Sequence, residues 1–355
     1  MHKHRITGPP GRWLAVGLAA GIGLLGSAAG ATAANDFDKA EPLTLAQADQ
    51  PAAHESTETT MTRTQVEKTE PAGKPGLPIS LGVSYYLMTD YMWRGVNWSE
   101  YDGEGREKLN HQMTTSIDWD TGTWGTFGFD TFWEWYADQE KLNPHAAGSN
   151  LQEIDYGIRW TYGIEPIATD LTLGYTFYTY PKLQKLLRQD GARGNNNDDK
   201  THEWYFKLEH NDAWMWKWAF PENEDGVLNP YFLFAQDVGI GSGAVWMEFG
   251  ISHDFAVPGV ENLTITPSYI MGIDGGVLKR YLGRNNANHL QAAYQQIGLA
   301  VSYDLTPLLH LPTWAGSISI SGMLYFSDAL GNLEDEDVTQ DNLYGGMSVS
   351  WSWGG

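Results

Sequence analysis

From Ile79 to the C-terminus the chain repeats one pattern, an apolar residue at every second position, and this constrains the fold more than any other feature. In Leu171-Thr172-Leu173-Gly174-Tyr175-Thr176-Phe177 the large apolar residues share one face and the small or polar residues the other, the signature of a half-buried strand rather than a helix. The alternation recurs at Ile154, Tyr156, Ile158 and Trp160, at Val245 to Ile251, at Ile297 to Tyr303, and from Leu343 to Trp353. It predicts about 12 strands, near 79 to 95, 110 to 119, 124 to 136, 152 to 164, 171 to 180, 202 to 218, 229 to 238, 244 to 255, 263 to 273, 292 to 304, 315 to 327 and 342 to 353. An even number of strands, most long enough to cross a bilayer at a tilt, implies an all-β, transmembrane, antiparallel up-and-down β-barrel over residues 79 to 355.

The connections test that reading independently. Those after even-numbered strands are compact or contain proline, as at Asp120-Thr121-Gly122-Thr123, Glu165-Pro166 to Asp170, Val257-Pro258-Gly259 and Thr306-Pro307 to Pro312. Most after odd-numbered strands are longer and polar, at 96 to 109, 137 to 151, 181 to 201, 274 to 291 and 328 to 341. Short turns on one rim and long loops on the other are the pattern of outer-membrane barrels, with both termini periplasmic. Two places fit poorly: the connection at Gly239 to Gly243 is short for the loop rim, and a strand from His202 to Trp218 is overlong and puts Asp212 on its lipid-facing parity. Aromatic pairs near strand ends (Tyr91 and Trp93, Trp119 and Trp124, Trp160 and Tyr162, Trp351 and Trp353, with Trp214, Trp216 and Trp218) match interfacial girdles. A soluble sandwich or lipocalin-like barrel is the rival fold, but it would bury aromatics without ordering them by depth.

The N-terminus carries Lys3, Arg5 and Arg12, then an apolar run from Trp13 to Ala29, then Ala31-Thr32-Ala33. Residues 1 to 33 therefore read as a cleavable secretory signal peptide, with a single spanning helix as the rival, disfavoured by a short run broken by glycines. Residues 34 to 78, rich in Ala, Glu, Thr, Gln and Pro and nearly without aromatics, read as a disordered periplasmic leader. The formal charge of -22 opposes binding to phosphate backbones, so nucleic acid is not an expected partner. With no cysteine there is no thiolate metal site, cysteine nucleophile, disulfide or lipoprotein anchor. The expected location is a bacterial outer membrane, with its lipid as the surrounding partner; nothing in the sequence speaks to oligomeric state.

At the end of the first strand stands Thr89-Asp90-Tyr91-Met92-Trp93-Arg94-Gly95-Val96-Asn97. Here the chain resembles a family of uncharacterised bacterial outer-membrane barrels of the GCW conserved-hypothetical type, which carry an aspartate-tyrosine-any-aromatic-arginine-glycine run early in the mature sequence. The match is local to this strand and the next hairpin, with Thr89 and Asn97 where serine is expected. The resemblance implies export and a barrel and supplies no activity.

If the first strand runs on through this segment, Asp90 and Arg94 point into the lumen, opposite Tyr85, Leu87, Tyr91 and Trp93, as members of a cross-strand charge network or as ligands for a solute; Gly95 marks a bulge or the tight start of a loop. The same parity gives an inward set of Asp118, Asp130, Glu134, Asp155, Arg159, Glu203, Lys207, Glu209 and Glu248. Acids outnumber bases, so an aqueous pore lined this way favours cations. Tyr86, Phe132, Tyr136, Tyr178, Trp246 and Tyr344 share the interior, either as packing that narrows the barrel or as a stacking track for a solute.

No Gly-x-Ser-x-Gly elbow or His-Glu-x-x-His pair occurs, so the scattered histidines, including His111, His202, His210 and His253, nominate no catalytic group. The acidic runs Asn195 to Asp199 and Glu334 to Asp337 lack calcium-loop spacing and read as solvated loops, and no cofactor or metal is expected. The expected function is a porin-like channel for passive passage of small polar solutes with a preference for cations. A structural or surface-interaction barrel is the alternative, and an outer-membrane hydrolase ranks behind both.

Overall fold

A computed structural model describes residues 78–97, 109–136, 151–180, 200–221, 226–239, 243–277, 290–331 and 342–354. The signal-like segment, the leader and the two acidic runs lie outside the described residues. The barrel strands are β1 (Ile79–Met88), β2 (Asn110–Asp120), β3 (Thr126–Tyr136), β4 (Leu151–Ile164), β5 (Thr169–Thr179) and β6 (Lys200–His210). They continue as β7 (Tyr231–Asp237), β8 (Val245–Ser252), β9 (Leu263–Gly275), β10 (Gln291–Asp304), β11 (Ser317–Ala329) and β12 (Asn342–Gly354).

Each strand pairs antiparallel with its neighbours in sequence, and β1 pairs with β12 from Ser80 opposite Gly354 to Met88 opposite Gly346, so the barrel is closed with 12 strands. Closure leaves no unpaired edge, which a strand protein in a hydrocarbon layer requires, because an unsatisfied peptide group there costs several kcal/mol. The alternation sets the register: Ser84 lies between Thr114 on β2 and Ser350 on β12, all inward, while Val83 and Val349 face out. The outward face is a belt of apolar side chains with Ile158 and Ile297 60% exposed and Leu343 69% exposed. So continuous an apolar surface is a liability in water and the matching surface in lipid.

Inside, several tyrosine rings lie flat against the wall over a glycine of the next strand. Tyr205 covers Gly174 and Tyr325 covers Gly298, where any Cβ would collide with the ring. Laying rings along the wall buries them without filling the barrel axis.

Two strands end earlier than their periodicity suggests. β1 stops at Met88 rather than reaching residue 95, and the chain then turns inward. β6 stops at His210 rather than 218; a turn containing a short helix, Ala213–Trp216, follows. Asp212 is therefore not on a lipid-facing strand. Its carboxylate is buried and accepts hydrogen bonds from the backbone N–H groups of Val227, Leu228 and Asn229 at 2.7, 3.0 and 3.2 Å and from Trp216 Nε1 at 2.7 Å. The connection from β6 to β7 is consequently the long one on the rim of short turns. The short connection on the opposite rim is held by Asp237, whose N–H donates to Ala244 at 3.0 Å and whose carboxylate accepts from Gly239 N–H at 2.7 Å.

Candidate functional site

The segment after β1 is the first thing the wall cannot hold. Thr89 N–H donates to Gly345 O at 2.8 Å and Gly345 N–H donates back to the Thr89 hydroxyl at 3.1 Å, which pins the last wall residue to β12. Beyond it the chain folds on itself: Met92 pairs with Asn97 and Trp93 with Val96. The two residues between, Arg94 and Gly95, have φ of 51° and 82°. Positive φ at both central positions is what a mirror-image two-residue hairpin turn demands. Glycine meets it at no steric cost, and a Cβ there would also lie 2.6 Å from Tyr294 Cβ. At Arg94 the left-handed backbone is unfavourable, by about 1–2 kcal/mol, and must be offset by what its side chain gains.

Those gains are concentrated at the tip. Arg94 Nη2 lies 2.9 Å from Glu203 Oε2 and 3.1 Å from Oε1, with the guanidinium 4.5 Å from the Trp93 ring centroid and 5.1 Å from that of Trp246. Tyr178 donates to the same Glu203 carboxylate at 2.7 Å. At the base, Asp90 joins the two legs, accepting from Asn97 Nδ2 at 2.8 Å and from the Thr89 hydroxyl at 2.6 Å. Tyr91 donates to Glu153 on β4 at 2.7 Å. Trp93 and Val96 pack with Phe132, Tyr178, Trp246 and Tyr294, which come from β3, β5, β8 and β10. A hairpin that leaves β1 thus reaches strands on the far side of the barrel and occupies the interior toward the loop rim.

Asp90 and Arg94 accordingly lie inside the barrel, but on this hairpin rather than on a wall strand. Tyr91 and Trp93, expected to face lipid opposite them, are 5% and 2% exposed and buried in the interior. Gly95 marks neither a wall bulge nor a loop start but the hairpin tip. Glu134, Asp155, Glu203 and Glu248 are all buried beside or beneath the hairpin. Asn110 donates to Glu134, and Tyr231 and Tyr294 donate to Glu248 at 2.5 and 3.2 Å. The carboxyl of Asp155 is buried beside that of Glu153.

Toward the turn rim the interior is different. Arg159 is held between Asp118, at 2.6 Å, and Asp130, and Lys207 pairs with Glu209 at 3.0 Å while lying 4.8 Å from the Tyr231 ring centroid. These side chains stay in contact with water, Asp130 at 32% and Glu209 at 35% exposure. The inward positions of β1, β10, β11 and β12 carry the hydroxyls of Ser84, Ser302, Ser321, Ser348 and Ser350, of which Ser84, Ser348 and Ser350 are buried. Of the interior aromatics, Phe132, Tyr178, Trp246 and Tyr344 are buried, Tyr344 donating to Gln296 at 2.6 Å, and Tyr86 packs with Met88, Met92 and Tyr325.

Among the described residues no group of histidines and carboxylates is arranged to hold a metal ion. His111 and His202 are on the outward face, hydrogen-bonded to Tyr85 and Tyr175. Sequence parity overlooked Glu153, although it shares a face with Asp155, and could not find Tyr91, Trp93, Val96 and Tyr294 as partners. The signal was the Arg94-Gly95 pair, a weak turn marker beside Asn-Gly or Asp-Gly.

No protein-family model matches the chain, and no curated protein does. Among solved structures the chain is similar to a KdgM porin in complex with disordered oligogalacturonate, at 8% identity and a TM-score of 0.36, covering 78% of this chain and 99% of that one. It is also similar to the NanC porin, at 9% identity and a TM-score of 0.39 over 76% and 98% of the two chains. An outer-membrane channel from Pseudomonas putida F1 gives 10%, 0.39, 80% and 99% in the same order.

Proposed function

We propose that this protein is a porin-like outer-membrane channel for passive passage of small polar solutes, preferring cations, in which the Asp90–Asn97 hairpin sets the narrowest part of the path. The observation that carries the proposal is the interior toward the turn rim: charged side chains that stay partly exposed, inside a wall whose outer face is apolar. A barrel built only as a scaffold gains nothing from keeping Asp118, Asp130, Lys207 and Glu209 wet. Acids exceed bases on this surface, and an acidic lining lowers the barrier for cations relative to anions. The signal-like N-terminus supports export, with the turn rim and both barrel ends on the periplasmic side.

One observation favours the alternative of a structural barrel, namely the packing of Trp93 and Val96 among buried aromatics. A single experiment separates the two. In planar bilayers across a salt gradient, the purified barrel should conduct with a reversal potential of cation sign, and Glu209→Gln with Asp130→Asn should move that potential toward zero. A barrel that is silent both intact and with residues 90 to 97 replaced by a short glycine-serine link is structural, and the channel reading fails.

A further inference from the structure

The half of the interior toward the turn rim is made of two walls of unlike chemistry. From β2 to β6 its inward positions include Asp118, Asp130, Arg159, Asp170, Lys207 and Glu209, four acids and two bases. The Arg159 guanidinium crosses β3 to reach Asp118 at 2.6 Å, and it can do so because Gly128, which lies opposite both residues, has no side chain in the way. Asp170 lies directly opposite Glu209, so two acids meet at the turn rim beside Lys207.

From β9 through β12 to β1 the charge disappears. Residues 263–270, 297–304, 317–323, 347–354 and 79–84 contain one charged side chain, Asp304 at the end of β10, whose carboxylate accepts from the N–H of Thr306 at 2.8 Å. Hydroxyls take the inward positions instead. Ser84, Ser350 and Ser319 form one row across β1, β12 and β11, and Ser348, Ser321, Ser302 and Thr264 form a second from β12 to β9. Ser302 and Ser321 share a hydrogen bond at 2.7 Å. Ser350, 8% exposed, has no partner for its hydroxyl among the described residues, although Ser84 and Ser319 flank it. A buried hydroxyl left unmade is costly where alanine would fill the same space, so the rows serve more than their own packing. β11, in the middle of this wall, stands half of the 12-strand ring away from β5, which carries Asp170.

A solute that satisfies both walls at once has a positive charge on one side and several hydroxyls on the other. We propose that the preferred cargo is a polyhydroxylated primary ammonium, the chemistry of an amino sugar or amino polyol, a choice that rests on the channel reading above and deepens it. The ammonium faces Asp130, Asp170 and Glu209, where the excess of acids lowers its barrier. The hydroxyls exchange water for serine hydroxyls, which both donate and accept and so stand in for a hydration shell. A cation without hydroxyls displaces water from the serine wall and gives nothing in return, and a neutral sugar leaves the acids unused.

Glucosamine and cyclohexylammonium share a ring size and a single ammonium and differ in their hydroxyls, so they serve as probes. In planar bilayers with potassium chloride on one side and either amine hydrochloride on the other, at a pH that protonates both amines, reversal potentials give their permeabilities. Glucosamine, the larger of the two, should be severalfold the more permeant through the wild-type barrel. Ser302→Ala, Ser319→Ala and Ser321→Ala combined should bring the two permeabilities together, with heat-modifiable gel migration reporting that the barrel is folded. Ser319→Ala alone should give an intermediate ratio. Equal permeabilities in the wild type, or a preference for glucosamine that survives in the folded triple variant, overturn the proposal. Where potassium chloride alone gives a potential of cation sign, that failure leaves the channel reading standing; a barrel silent in every salt removes both.

Discussion

Asp130 and Glu203 are both acids on inward faces of the wall, and each is bound to an arginine, yet the two pairs differ in consequence. Asp130 meets Arg159 from an adjacent strand, in the half of the interior open to the turn rim, where both side chains remain partly exposed. Glu203 meets Arg94 from the hairpin, where the exposures are 2% and 4%. Water screens the first pair, so the pair adds little to stability and the charges remain available to the lumen. The second is desolvated, and its members hold each other because neither has water to fall back on. The difference is one of depth: the half toward the turn rim is a polar surface, and the half toward the loops is a core assembled around an inserted hairpin.

The largest expected effect is therefore at Arg94. Arg94→Ala leaves Glu203 buried with its cation removed and should cost about 3–5 kcal/mol in denaturant unfolding, while raising single-channel conductance as the hairpin loosens. Adding Glu203→Gln should restore part of the stability but not the original conductance; full additivity of the two changes would mean that the pair does not couple hairpin to wall. Gly95→Ala follows, at about 1–3 kcal/mol, since it imposes a side chain at φ 82° against Tyr294.

Asp212 tests the opposite rim. Burial works to raise the pKa of its carboxyl, but hydrogen bonds from Trp216 and from the backbone of Leu228, Asn229 and Val227 outweigh burial and hold it below the ordinary aspartate value. A pKa lowered on folding means that this contribution is fully present above the unfolded-state value, near about 3.9, and is lost as pH falls through the lower folded value. Asp212→Asn should flatten that acid-side loss and destabilise the barrel at neutral pH by about 1–3 kcal/mol, read from unfolding midpoints across pH.

The smallest effect on stability belongs to Arg159→Gln, at about 0–1 kcal/mol. It should nonetheless shift the reversal potential further toward cations, since it frees two carboxylates in the wet half. A loss as large as that of Arg94→Ala would erase the contrast between the halves.

Most strand boundaries were legible to within about two residues, because a wall with lipid on one side and a polar or packed interior on the other forces period two on nearly every segment. Asp118, Asp130, Arg159 and Lys207 were legible for the same reason: parity places them inside. Parity failed at β6, where the aromatic run Trp214 to Trp218 imitates a strand and only the Asp212 clamp shows that it is a turn.

By itself the sequence determined a closed, lipid-facing wall and an acid-rich interior, since both follow from which residue types alternate and neither needs long-range information. The hairpin was decided by tertiary structure alone. Asp90, Met92 and Arg94 alternate with Tyr91 and Trp93 just as wall residues do, so local pattern could not tell a strand that continues from one that leaves. What tells them apart is that the wall stops offering a partner at Thr89 and Gly345, while the interior offers Glu203 for Arg94, Glu153 for Tyr91 and an aromatic pocket for Trp93. Those partners lie 62 and 109 residues away along the chain, and only closure of the barrel brings them within reach.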